Sequence, residues 1–142
     1  MAISSAICNS FKQELLVGTH NFTASSGDTF KIALYTSSAS LGASTTAYST
    51  SNEISNTSGS AYSAGGATLT SVTPVLSGST AVCDFNDVSF TSASFTANGC
   101  LIYNDDQSDK AVAVIAFGGD KTVSSGTFTI QFPAADASNA II

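Results

Sequence analysis

The chain has 142 residues, a formal net charge of −6 and only 10% charged residues, against about 25% in ordinary soluble domains. With four lysines (Lys12, Lys31, Lys110, Lys121) and no arginine, it lacks the cations that displace counterions from phosphates. That makes it a very poor candidate for binding nucleic acid, and an anionic membrane surface is disfavoured for the same reason.

The length is that of one domain, large enough to bury a core without staples, so residues 1–142 read as a single unit. Ser and Thr fill about 30% of positions, well above ordinary usage. Such a surface is hydrated but weakly charged, and its short side chains lose little rotamer freedom when another surface covers them. Cys8, Cys83 and Cys100 are odd in number and show no CxxC spacing, which argues for buried, reduced thiols rather than a disulfide framework or a zinc site.

The opening "MAISSAICNSFKQELLVG" lacks a basic leader, and Lys12 and Glu14 interrupt any apolar run, so no signal peptide is expected. Ser4 or Ser5 could cap a helix of about three turns, with Phe11, Leu15 and Leu16 on one face and Gly18 as its stop. Residues 1–18 therefore read as a helix or arm, closing one end of the domain or reaching another subunit. His20, the only histidine, follows in a short connection, where nothing marks the shielded cleft that nucleophilic catalysis requires. It reads as a surface bystander. The sequons at Asn21 and Asn56 read as chance.

From Gly27 onward the text is strand and turn. "TFKIALY" alternates, with Phe30, Ile32 and Leu34 on one side. It runs into a soft stretch, 36–65, of Ser, Thr, Ala and Gly in which only a few side chains, among them Leu41, Tyr48 and Tyr62, are large. Further strands are "GATLTSV" (66–72), "TAVCDFNDVSF" (80–90), "ANGCLIYN" (97–104), "AVAVIAF" (111–117) and "TFTIQFP" (127–133). "AVAVIAF" is apolar on both faces, as in a covered central strand. Pro74 and Pro133 sit where strands should end. The loop "NDDQSDK" gathers Asp105, Asp106 and Asp109 but lacks the glycine and glutamate of a calcium loop, so it reads as a solvated turn. Seven or eight short strands with one N-terminal helix predict an all-β fold, an antiparallel two-sheet sandwich of jelly-roll-like form. Phe30, Ile32, Leu34, Leu101, Val112, Val114, Phe128, Ile130 and Phe132 are its expected core. No catalytic, metal or cofactor-binding residue is expected, and no enzyme.

The ordered series "FKIALYTSSASLGASTTAY", "NEIS", "YSAGGATL", "FNDVSF", "LIYND", "AVAVIAFGGDKTVSSGTFTIQFPA" and "AII" resembles a group of small tailed-bacteriophage virion proteins. The resemblance runs from Cys8 to Ile142, with an acidic "DfdDv" pattern matched by Asp84 to Val88. It departs at "NTSGSAYSAGG", where a shorter turn is usual. The resemblance implies a capsid cement (decoration) protein of jelly-roll type, with no catalytic residue. Its implied partners are the major capsid protein and neighbouring copies, as a dimer or trimer, with no nucleic acid and no membrane. Its implied place is the capsid exterior, after synthesis in the host cytoplasm. A tail or fibre-tip module binding a host glycan or protein is the alternative. Under the cement reading, Phe11, Leu41, Tyr48, Tyr62, Ile141 and Ile142 are the expected contact residues, as large anchors among small neighbours. They belong to the N-terminal segment, the 36–65 loop and the 134–142 tail.

Overall fold

The computed structural model describes residues 2–55 and 61–142. Residues 56–60, which carry the Asn56 sequon and most of the loop insertion, lie outside the described residues. The elements are β1 (Ala6–Ile7), α1 (Asn9–Leu16), β2 (Phe30–Tyr35), β3 (Ala67–Thr68), β4 (Ser71–Ser77), β5 (Thr80–Phe85), β6 (Val88–Asn104) and β7 (Lys110–Ile130). They form an antiparallel five-stranded sheet, β1-β7-β6-β2-β3, and a two-stranded sheet, β4-β5. The all-β, two-sheet architecture with one short N-terminal helix is the one predicted.

Among the described residues seven strands form, within the predicted seven or eight, but their boundaries differ. Segments read as separate strands fuse into a hairpin whose arms are 17 and 21 residues long. The supposed loop "GGDKTVSSG" stays in β7, because irregular register absorbs its turn-forming residues. Shifts fall between Phe90 and Ala93, Ala93 and Phe95, and Ala97 and Gly99. Ser92, Ser125, Gly118 and Gly119 take positive φ, the bulge chemistry that lets a long strand twist and bend without ending. Conversely, "TAVCDFNDVSF" is two strands, cut at Asn86 and Asp87. There the Asn86 N–H donates to Thr70 O and Asp87 Oδ1 accepts the Phe132 N–H. Pro74 lies inside β4, not at its end, at the register shift between Val72 and Val75.

Both faces of β2 are covered: Phe30, Ile32, Ala33, Leu34 and Tyr35 are all buried, so the alternation of sizes does not mark a wet face. Leu101, Val112 and Val114 join them in the core. Burial of such side chains stabilises by about 1.5–3 kcal/mol each. Phe128, Ile130 and Phe132 keep the predicted register, alternating with exposed Thr127, Thr129 and Gln131, but are only half-buried. Phe85 joins the small sheet to the core of the large one. The Phe85 ring lies 5.8 Å from Phe30 and 5.6 Å from Phe132. Gly66, at φ +80°, crosses β2 so closely that a Cβ would fall 1.8 Å from Ile32 O. No other residue fits there.

Helix α1 has eight residues and begins after Cys8 without a side-chain cap. Neither Ser4 nor Ser5 caps it. Ser5 Oγ accepts the Ala116 N–H, and the Ser4 N–H donates to Leu41 O. Phe11 faces the core, whereas Leu15 and Leu16 are exposed.

Candidate functional site

The described part of the 36–65 loop is fastened to the body by a half-buried carboxylate. A bridge to Tyr35 and a turn at Asn52 place Glu53 under the loop. Its Oε2 accepts from the Tyr48 hydroxyl at 2.6 Å, and its Oε1 from the Tyr62 hydroxyl at 2.6 Å and the Gly65 N–H at 2.7 Å. The Tyr62 hydroxyl in turn accepts the Leu34 N–H, and the Tyr103 hydroxyl donates to Gly65 O. Tyr48 stacks on Tyr103 with ring centres 4.6 Å apart. Burial, reinforced at Tyr48 and Tyr62 by donation to Glu53, pushes all these phenols and Tyr35 far above the ordinary tyrosine range. They stay neutral donors. Main-chain bonds from Thr36 to Asn52, Ile54 to Leu34, Tyr48 to Asp109 and Ala111 to Thr46 complete the fastening. The expected soft loop is thus tied down from Thr36 to Ile54 without any partner.

A second polar cluster surrounds His20. Its side chain is fully buried and lies against Phe11 at 4.9 Å, so the expectation of a surface bystander is wrong. Nε2 donates to Glu14 Oε1 at 3.0 Å, and Nδ1 accepts from Asn104 Nδ2 at 2.9 Å. The second Asn104 hydrogen goes to Asp28 Oδ2, and its Oδ1 accepts the Asp106 N–H. Burial raises the affinity of Asp28 for its proton. Hydrogen bonds from Asn104, the Asn21 N–H and Gln107 outweigh that effect and hold the carboxyl below the ordinary aspartate value. Asn104 therefore pins the 20–28 connection to the β6–β7 turn. The bonds of the cluster thus join α1, the 20–28 connection and the β6–β7 turn to one another.

The acidic turn does not converge. Asp106 Oδ2 accepts the Thr29 N–H at 2.6 Å, Asp105 faces Lys31 at 3.5 Å, and among the described residues no three His, Cys, Asp or Glu side chains are grouped to hold a metal ion. The thiols remain free, with Cys8 and Cys100 buried and Cys83 half-buried. Burial raises all three, Cys100 to about 12, so none is an activated nucleophile.

What the surface offers is apolar and uncharged. Leu16 is 89% exposed and Val17 66%, at the end of α1, and Leu76 is 73% exposed near the tip of the β4–β5 hairpin. A hollow of about 460 Å³ beside β7 is lined by Ile115, Phe117, Phe128, Ile130 and Ile141, with Lys121 as its only charged residue. A second, of about 340 Å³, shares Ile115 and Ile141 and continues to Ile7. A third, of about 350 Å³, lies on the 36–52 stretch and is lined largely by Ser and Thr hydroxyl residues, including Ser44, Thr45 and Thr46.

Of the six expected contact residues, Phe11 and Tyr62 are internal, at 1% and 0% exposure, and are committed to the chain's own core. Leu41 and Tyr48 are half-buried, as are Ile141 and Ile142. Sequence reasoning missed Leu16, Val17 and Leu76. The signal was present at the helix, where three consecutive apolar residues, Leu15 to Val17, cannot all face one core. It also missed Glu53, Asp28 and Asn104, which carry no motif.

Comparison with protein-family models, curated proteins and solved structures finds no match to the chain. Among the described residues no helix is long and apolar enough to cross a membrane.

Proposed function

We propose that the protein is a structural component of a tailed-bacteriophage particle that binds the outside of the capsid shell and stabilises it, acting by adhesion and not by catalysis. The observation that carries this reading is the pairing of exposed apolar corners, Leu16 with Val17 and Leu76, with a Ser/Thr-rich surface holding few charges. Such corners are desolvated readily and set among neighbours that cost little entropy to cover. A platform whose main loop is already fastened adds to it, because a pre-ordered surface loses less freedom on binding. The phage resemblance of the sequence points the same way, and the capsid protein is the partner it implies. Attachment then rests on the α1 corner, the hairpin tip and the hollows beside β7, which Ile141 helps to line.

Mass-calibrated gel densitometry of purified particles tests the reading. A cement protein is present in copy numbers comparable to the capsid protein. A handful of copies per particle would instead place it at a tail or fibre tip and overturn the proposal.

A further inference from the structure

The segment after β7 makes a compact turn of its own. Asp136 Oδ1 accepts from the Ser138 and Asn139 N–H groups, and the Ala140 N–H donates to Asp136 O. Among the described residues its hydrogen bonds to the rest of the chain are few: the Ala137 N–H donates to Ser77 Oγ at 3.0 Å, and the Cys83 N–H donates to Ile142 O at 2.7 Å. Ile141 and Ile142 then enter a small apolar seat with Phe85, Ile102 and Phe132, at the seam of the two sheets. The residues leading in, Pro133 and Ala134, are exposed.

We infer that residues 134–142 form an exchangeable arm, and that in a pair of copies each arm occupies the other copy's seat. The occupant is a second copy of this chain because the seat already fits this segment, so exchange recreates every contact in trans. Closed and exchanged forms then differ in two respects. One is copy concentration. The other is the region around the hinge, where exchange has something to gain. The hollow beside β7 is lined both by Ile130 and Gln131, next to the hinge, and by Ile141 of the arm. Crossing arms would hold two such hollows against each other and remove Phe117 and Phe128 from water, which the closed form leaves half-wet. The exchange needs no capsid, and so stands or falls apart from the attachment proposed above.

Ile142→Cys in the full chain, oxidised or treated with a short thiol crosslinker, joins the arm to Cys83 of whichever copy provides the seat. Non-reducing gels should show linked dimers whose fraction rises with protein concentration up to about 1 mM, the effective range of tethered sites. The same variant carrying Cys83→Ser should give none. Light scattering on the unaltered protein should show mass doubling over that range, lost when residues 139–142 are removed. Linkage confined within single chains at every concentration, dimers that persist without Cys83, or an unaltered protein that stays monomeric would each overturn the exchange.

Discussion

The Tyr62 hydroxyl accepts the main-chain N–H of Leu34 at 2.9 Å, taking the place of a strand partner along the edge of β2. Either side of it the same edge is covered by ordinary main-chain bonds, from Leu69 to Phe30 O and from Ile54 to Leu34 O. One oxygen on a loop therefore takes up a main-chain donor of β2, while its proton goes to Glu53.

Tyr62→Phe removes that oxygen while keeping the ring among Phe90 and Phe95. A buried N–H is left unpaired and Glu53 loses a donor, so the variant should lose about 1–3 kcal/mol in urea unfolding. A loss within measurement error would mean that the hydroxyl does not hold β2.

His20→Ala should be costly, because it empties a buried site and takes one hydrogen-bond partner each from Glu14 and Asn104. A loss of about 2–4 kcal/mol is expected from the cavity and the unpaired groups together. Thermal melts that coincide with the parent would return His20 to the surface.

Asp28 gives the acid limb of stability a definite sign. Its folded carboxyl sits below the unfolded value of 3.8, so the unfolded chain binds the proton more tightly. The contribution is fully present above about pH 4–5 and is lost as pH falls through the folded value. Asp28→Asn should flatten the stability profile below pH 4; an unchanged slope there would assign the acid limb to other carboxylates.

Depth in the core can be read from two isoleucines. Ile102, fully buried, should cost about 2–5 kcal/mol when cut to Ala. Ile130 faces the same way as Phe128 but is half-buried, and Ile130→Ala should cost about 1–2 kcal/mol, since surface changes lie near half a kcal/mol and full burial well above it. Equal losses would place the end of β7 inside the core.

Attachment to particles should survive a rise in salt from about 0.1 to 1 M, over which the screening length falls from about 10 to 3 Å, because few cations are available to build ion pairs. Leu16→Ser should lower occupancy while leaving the melting temperature in place. Salt-driven release, or full occupancy by the variant, would move the contacts away from the α1 corner.

What the sequence disclosed and what it withheld divide along physical lines. Period-two patterns are local, so β2, the 97–104 and 111–117 runs and the register of the last strand were all legible. Continuity was not. Ser92, Gly118, Gly119 and Ser125 carry turn chemistry, and only the opposing strand turns that chemistry into bulges. Tyr62 shows the same limit at the candidate site. A large residue in a Ser-rich loop reads equally as an exposed anchor or a buried one, and Glu53, distant in the pattern, decides between them. Likewise His20 became structural through Asn104, 84 positions away.

The long hairpin also orders events in time. β6 and β7 meet across a turn of five residues, 105–109, and their pairing can begin at Asn104 with Lys110 and zip outward to Val88 with Ile130. Closing so short a loop takes on the order of 10–100 ns, and hairpins form within about 1–10 μs. β1 must instead find Ala113 and Val114 across more than a hundred intervening residues, a closure with a larger entropy cost and no local help. Substitutions near the 105–109 turn should therefore slow folding, whereas those at Ala6 and Ile7 should chiefly hasten unfolding.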